Sequence, residues 1–252
     1  MAGEYDKSKY TKKERLQNFW YYSKYYIIVG VLVAVFIVVQ VYKAYNQPKY
    51  AFTAMFFNTM SMTLNQYDLS DEGKGYVDEF LKSQGLDPEE NPADTRQYLN
   101  FDIFDGESVE EHEISTMESI GAYISTGDLD VLVANEEFFL YIGYWEAMED
   151  LRNVMDAETL KELEPYLFYV DQELIDELAE YAYDDPEYRQ TRPDPRDPST
   201  MKKPIPVGIY LDNANEEFKE NFTIQGDVGV VGVFINAPHP DRCIAFIDYI
   251  LE

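Results

Sequence analysis

Residues 25–42 read YYIIVGVLVAVFIVVQVY, eighteen positions without a charge and, tyrosines aside, with one polar side chain, Gln40. As a helix they extend about 27 Å, close to the thickness of a hydrocarbon core. The β-branched content is poor for a helix in water but costs little in lipid, where the backbone must close its own hydrogen bonds. Aromatic side chains stand at both ends: Trp20, Tyr21, Tyr22, Tyr25 and Tyr26 before the run, Tyr42, Tyr45 and Tyr50 after it. Such belts belong at membrane–water interfaces. The segment is expected to be a transmembrane helix, and it divides the chain.

Charge orients the helix. Residues 1–24 hold six cations, Lys7, Lys9, Lys12, Lys13, Arg15 and Lys24, against Glu4, Asp6 and Glu14, while only Lys43 and Lys49 follow closely. The positive-inside rule places the N-terminus in the cytoplasm and the rest of the chain outside. No small-x-small cleavage site follows the apolar run, so it reads as an uncleaved signal-anchor rather than a signal peptide. The expected organisation is a basic cytoplasmic arm (1–24), a transmembrane helix (25–42), a linker (43–49) and an extracytoplasmic domain (50–252). The arm is too short to fold as a regulator.

Of 252 residues, 48 are Asp or Glu and 20 Lys or Arg, a net charge of −28. Removing the first 24 leaves 14 cations against 45 carboxylates, so the outer part carries −31. That charge argues against a nucleic-acid partner, which needs a basic face. Hydrophobic content of 46%, aromatics included, is ample for a core. The single cysteine, Cys243, excludes an internal disulfide framework and a cysteine-based zinc site.

Within the outer domain, residues 50–57 (YAFTAMFF) read as a strand buried on both faces. Ser70 caps an expected helix with Val77, Phe80 and Leu81 inward, ended by Gly85. Residues 86–95 read as a polar loop, and Leu99, Phe101 and Ile103 as an alternating strand. Ser108 opens a helix with Ile114, Met117, Ile120 and Ile124 on one face, stopped by Gly127. A strand over 129–134 follows, then a helix over 136–149 with Phe139, Ile142, Gly143 and Ala147 on one face. Shorter amphipathic pieces cover 157–163 and 172–182. Residues 184–206 hold six prolines and are expected to form a long surface loop. Strands return at 205–211 and 228–235, and a final helix over 241–251 buries Cys243, Ile247 and Ile250. Strands alternating with helices predict an α/β fold around one mainly parallel, mixed sheet flanked by helices.

Residues 124–151, ISTGDLDVLVANEEFFLYIGYWEAMEDL, resemble a stretch of type II extracellular solute-binding proteins. The features are Gly127, Asp128, Leu129 and Asp130 entering an apolar strand, then Phe138, Phe139, Tyr141, Gly143 and Tyr144, then Leu151. The C-terminal VGVFINAPHPDRCIAFIDYIL is similar to that family's closing strand and helix. The resemblance implies the fold of one lobe of a periplasmic binding protein at a cell surface. A second lobe would have to fit into about 30 acidic, proline-rich residues before Pro204, which is too few.

Candidate chemistry is sparse. His112 lies in an acidic helical turn and His239 between Pro238 and Pro240, and neither sits in a hydrolase motif. Asp68, Ser70, Glu72 and Glu79 match the oxygen positions of a calcium loop, but a capped helix explains the same residues. Asp128 and Asp130 read as loop and strand-entry residues, and Cys243 as a small buried hydrophobe. Tyr141, Tyr144 and Trp145 are the candidate ligand-binding ledge. No cofactor, metal or catalytic residue is expected. The expected partners are the lipid bilayer and another membrane protein. The function expected is a membrane-anchored, non-catalytic binding or accessory module, with a surface receptor for a small solute or cation, and then a hydrolase, as alternatives.

Overall fold

The computed structural model describes residues 11–45, 49–61, 72–99, 111–179, 192–226 and 228–252. The chain divides into two units, Met1–Lys49 and Tyr50–Glu252. The first holds one helix, α1 (Lys12–Tyr45). Its segment Phe19–Val39 is long and apolar enough to cross a membrane, and none of it is buried within the chain.

The second unit is α/β. Its elements in order are β1 (Phe52–Phe57), β2 (Thr59–Ser61), α2 (Glu72–Ser83), β3 (Ala93–Tyr98), α3 (Glu111–Thr126), β4 (Val131–Asn135), α4 (Glu136–Gly143) and α5 (Ala157–Glu162). β5 (Leu167–Asp171), α6 (Gln172–Leu178), β6 (Pro204–Tyr210), α7 (Glu216–Asn221), β7 (Phe222–Ile224), β8 (Gly229–Val233) and α8 (Pro240–Leu251) complete it. Six strands form one sheet in the order β3-β1-β4-β8-β6-β5, and β2 pairs with β7 in a separate ribbon.

The sheet is mixed, but it is not mainly parallel. β1 runs parallel to β3 and β4, whereas β4–β8, β8–β6 and β6–β5 are antiparallel. Strand period in the sequence reports which faces are buried, not the direction of the neighbour, so the antiparallel half left no signal in the apolar runs.

Alternation along β1 explains why every one of its residues is buried. Phe52, Ala54 and Phe56 join one core with Val77, Phe80 and Leu81 of α2 and Cys243, Phe246 and Ile247 of α8. Met55 and Phe57 join the opposite core with Phe138, Phe139 and Ile142 of α4 and Ile175 of α6. Helices therefore cover both faces of the sheet. On the first face the rings of Phe52, Phe80 and Phe246 form a triangle with centroids 5.0–5.2 Å apart, near-ideal spacing for tilted aromatic contact. Glycines end two helices as expected. Gly85 and Gly127 take φ +74° and +66°, and the amides of Leu86 and Asp128 turn back to Leu81 and Tyr123 carbonyls at 2.9 and 3.2 Å.

Four expectations shift. β3 occupies Ala93–Tyr98, partly inside the expected loop, while residues 100–103 of the expected strand lie outside the described residues. β3 is an edge strand, half-exposed beyond Ala93, so its polar sequence ADTRQY carries no apolar alternation. α4 stops at Gly143 instead of reaching 149: Glu146 adopts φ +55°, and Met148 then bridges Phe234 as an extension of the sheet. β6 begins at Pro204, inside the expected loop, and includes Pro206, where the expected loop and strand overlap. Both prolines are tolerated because β6 bonds β8 only at Ile209 and Tyr210, and Pro206 lies where the β5–β6 register shifts. β5 and α7 are additions that their short, mixed sequences did not announce.

Candidate functional site

The strands of the parallel half begin where α8 begins, and this junction concentrates the polar chemistry. Asp130 enters β4 fully buried, at 0% exposure. Its carboxylate accepts the Thr53 amide at 2.8 Å and the His239 amide at 3.0 Å. The same carboxylate faces His239 Nδ1, with its two oxygens 3.1 and 3.3 Å away. A buried carboxylate needs such donors to offset its lost hydration. Cys243, on the first turn of α8, directs its thiol toward Asp130 and toward the His239 carbonyl at 3.2 Å.

The arrangement orients an imidazole: Asp130 engages Nδ1 and leaves Nε2 free of that contact on a side chain 29% exposed. An acid–imidazole pair of this kind can move a proton. The thiol beside it, Cys243, is not set up as a nucleophile. Cys243 is completely buried, and burial first, then the negative charge of Asp130, pushes its thiol pKa up. A reactive cysteine requires the opposite shift. Among the described residues no group of three or more His, Cys, Asp or Glu side chains is placed to hold a metal ion.

The raised thiol pKa has a consequence for stability. A group that stays neutral in the fold but ionises at about pH 8.5 when unfolded leaves stability intact below that pH. Above it, the unfolded state gains about 1.4 kcal/mol per pH unit until the folded thiol itself ionises. Cys243→Ala is expected to cost about 1 kcal/mol at pH 7 through lost packing, and the deficit against wild type should vanish above about pH 9 and reverse by about pH 10. Urea midpoints measured across that range check it; a deficit independent of pH would be the contrary result.

Tyr141, Tyr144 and Trp145 do come together at the end of α4, with the Tyr141 and Trp145 rings 4.9 Å apart. Tyr141 and Tyr144 are each only 3% exposed. The Tyr144 hydroxyl accepts the Asp171 amide at 3.3 Å, its ring lies 5.0 Å beneath the Arg192 guanidinium, and burial raises its pKa. These contacts place the tyrosines as core wall, with Trp145 half-buried at the rim.

Of the calcium-loop candidates, Asp68 and Ser70 lie outside the described residues, as does the side chain of Glu72. Glu79 pairs with Lys82 at 2.7 Å on the exposed face of α2. His112 falls on α3, its side chain likewise outside the described residues.

Two further polar sites escaped the sequence reading. Asp171 ends β5 and accepts the amides of Lys202 and Lys203 at 2.9 Å and of Glu173 at 3.1 Å. Burial alone would raise its pKa, but these three bonds outweigh it and hold the carboxyl below the usual range. The cradle fastens the end of the proline-rich stretch to the sheet. Tyr210 donates to Glu136 at 2.6 Å, while Arg196 stacks 3.4 Å above the Tyr210 ring and pairs with Asp212 at 2.9 Å. Asp130 and His239 are 109 residues apart, and no local pattern marks such a pair; only the strand-entry position of Asp130 was visible. Comparison of the chain with protein-family models, with curated proteins and with solved structures gave no match.

Proposed function

We propose that the chain is a single-pass membrane protein, N-terminus in the cytoplasm, that displays its acidic α/β unit outside the cell as a non-catalytic binding or accessory module. The observation that carries this reading is the 21-residue apolar segment Phe19–Val39, no part of which is buried within the chain. A segment this long and predominantly apolar, left in water, would cost tens of kcal/mol of hydrophobic free energy, and a bilayer removes that cost. The charge contrast supports the orientation, with a net positive arm before the segment and −31 after the first 24 residues. A protonated, buried Cys243 beside the Asp130–His239 pair favours a structural over a catalytic role for that junction.

The finer reading, one reduced lobe of a solute-binding protein, draws on the stretch that suggested it. Residues 124–151 run from the end of α3 through the Gly127 turn into β4 and α4, the helix–turn–strand–helix order of the resemblance.

Intact cells carrying a C-terminal tag test the topology. External protease is expected to remove the tag, and alkaline carbonate is expected to leave the protein in the membrane pellet. A protected tag would reverse the orientation, and extraction by carbonate would remove the anchor.

A further inference from the structure

We propose that the N-terminal end of α1 binds anionic phospholipid headgroups, with Lys24 as the residue that meets the phosphate. The proposal rests on the single-pass reading above and names the lipid class that the anchor selects. α1 is one unbroken helix of 34 residues, about 51 Å long, against a hydrocarbon core of about 30 Å. The apolar segment begins at Phe19, so residues 12–18 continue as helix beyond it and carry Lys12, Lys13 and Arg15 to headgroup level.

Lys24 lies inside the apolar segment, five residues past its start. An ammonium fixed at that depth would face hydrocarbon. Side chains on a helix lean toward its N-terminus, and a lysine near that end can reach back to the interface. The Lys24 Nζ sits between two rings, 5.6 Å from the centroid of Tyr21, one turn nearer the N-terminus, and 5.1 Å from that of the adjacent Tyr25. Tyr21 is itself set edge-on to Tyr22 at 5.2 Å. The rings frame the cation, and an aromatic face, unlike a carboxylate, does not take its N–H groups as an oxygen acceptor would. Phosphate oxygens are the abundant anionic acceptors at that level of a bilayer. From residue 12 to 24 the helix holds four cations and one carboxylate, Glu14, so a headgroup with net negative charge matches it better than a zwitterion. Each cation at an anionic surface contributes about five-fold in binding.

The test uses the full chain reconstituted in vesicles of equal phosphatidylglycerol and phosphatidylcholine, then solubilised and purified with its retained lipid. Wild type is expected to retain phosphatidylglycerol over phosphatidylcholine by about five-fold or more. Lys24→Gln should lower that ratio about five-fold, and Lys24→Arg should preserve it. A wild-type ratio near one, or an unchanged ratio in Lys24→Gln, overturns the proposal. Should Lys24→Gln resist reconstitution, Tyr21→Leu with Tyr25→Leu removes the frame while keeping the cation, and an unchanged ratio there overturns it equally. Carbonate washing of the same vesicles separates the two readings. Protein that stays embedded with a ratio near one refutes the lipid preference alone, and protein washed away refutes the anchor.

Discussion

Asp130→Ala is expected to destabilise the α/β unit by about 3–5 kcal/mol, because it removes a fully buried carboxylate and strands the buried donors that it accepts. The carboxylate is fully buried and ties three elements: β1 through the Thr53 amide, its own strand β4, and the start of α8 through the His239 amide and ring. Alanine leaves both amides without their acceptor, at about 1–3 kcal/mol each when buried. For a domain of this size the melting temperature should fall by about 10 °C or more. Asp130→Asn keeps the volume and one carbonyl oxygen and should recover part of the loss. Thermal melts of the full chain in detergent, followed by near-ultraviolet circular dichroism, read both variants. A loss under about 1 kcal/mol for alanine would contradict the role given to this residue.

The second large effect is expected on the other face of the sheet. Phe139 of α4 is fully buried and lies over two glycines, Gly208 of β6 and Gly232 of β8. A Cβ at Gly232 would come within 2.6 Å of the Phe139 ring and 2.7 Å of the Val207 carbonyl, and one at Gly208 within 2.7 Å of the same ring. The floor is flat because both residues lack side chains, and the ring fills the space they leave. Phe139→Ala opens that space and should cost about 3–5 kcal/mol. Gly232→Ala tests the same contact from below. It meets backbone as well as ring, so it should cost at least the 1–3 kcal/mol typical of overpacking. Combining the two should relieve the ring clash and cost less than the sum, which a double-mutant cycle measures. Strict additivity would mean that ring and floor do not meet as described.

How far the sequence announced this architecture follows from where each signal resides. β1 was legible because six consecutive buried residues make an apolar run that nothing on a surface would carry. α8 was legible because Cys243, Ile247 and Ile250 recur at helical spacing. β3 was misplaced because an edge strand pairs through its backbone and needs no apolar side chains. α4 was drawn too long because the turn at Glu146 depends on a left-handed conformation in a residue that seldom adopts one. The Asp130–His239–Cys243 junction could not be read at all. Its members are ordinary residues alone, and only the docking of α8 beside the start of β4 gives them a shared chemistry. The tyrosines of the expected ledge are neighbours at the end of α4, buried at 3% exposure each; period alone does not say which side of a helical stripe meets solvent.

β8 lies between β4 and β6 at the middle of the sheet, yet its residues begin only at Gly229. Until that segment emerges from the ribosome, β4 and β6 have no common neighbour and the two halves of the sheet cannot join. Folding therefore waits on the last strand, whose pairing with β4 joins segments about a hundred residues apart. During that interval the half-made sheet exposes apolar edges, the condition under which chains aggregate or need chaperones. A premature stop anywhere before Gly229 would yield an unfinished product for proteolysis rather than a smaller working domain.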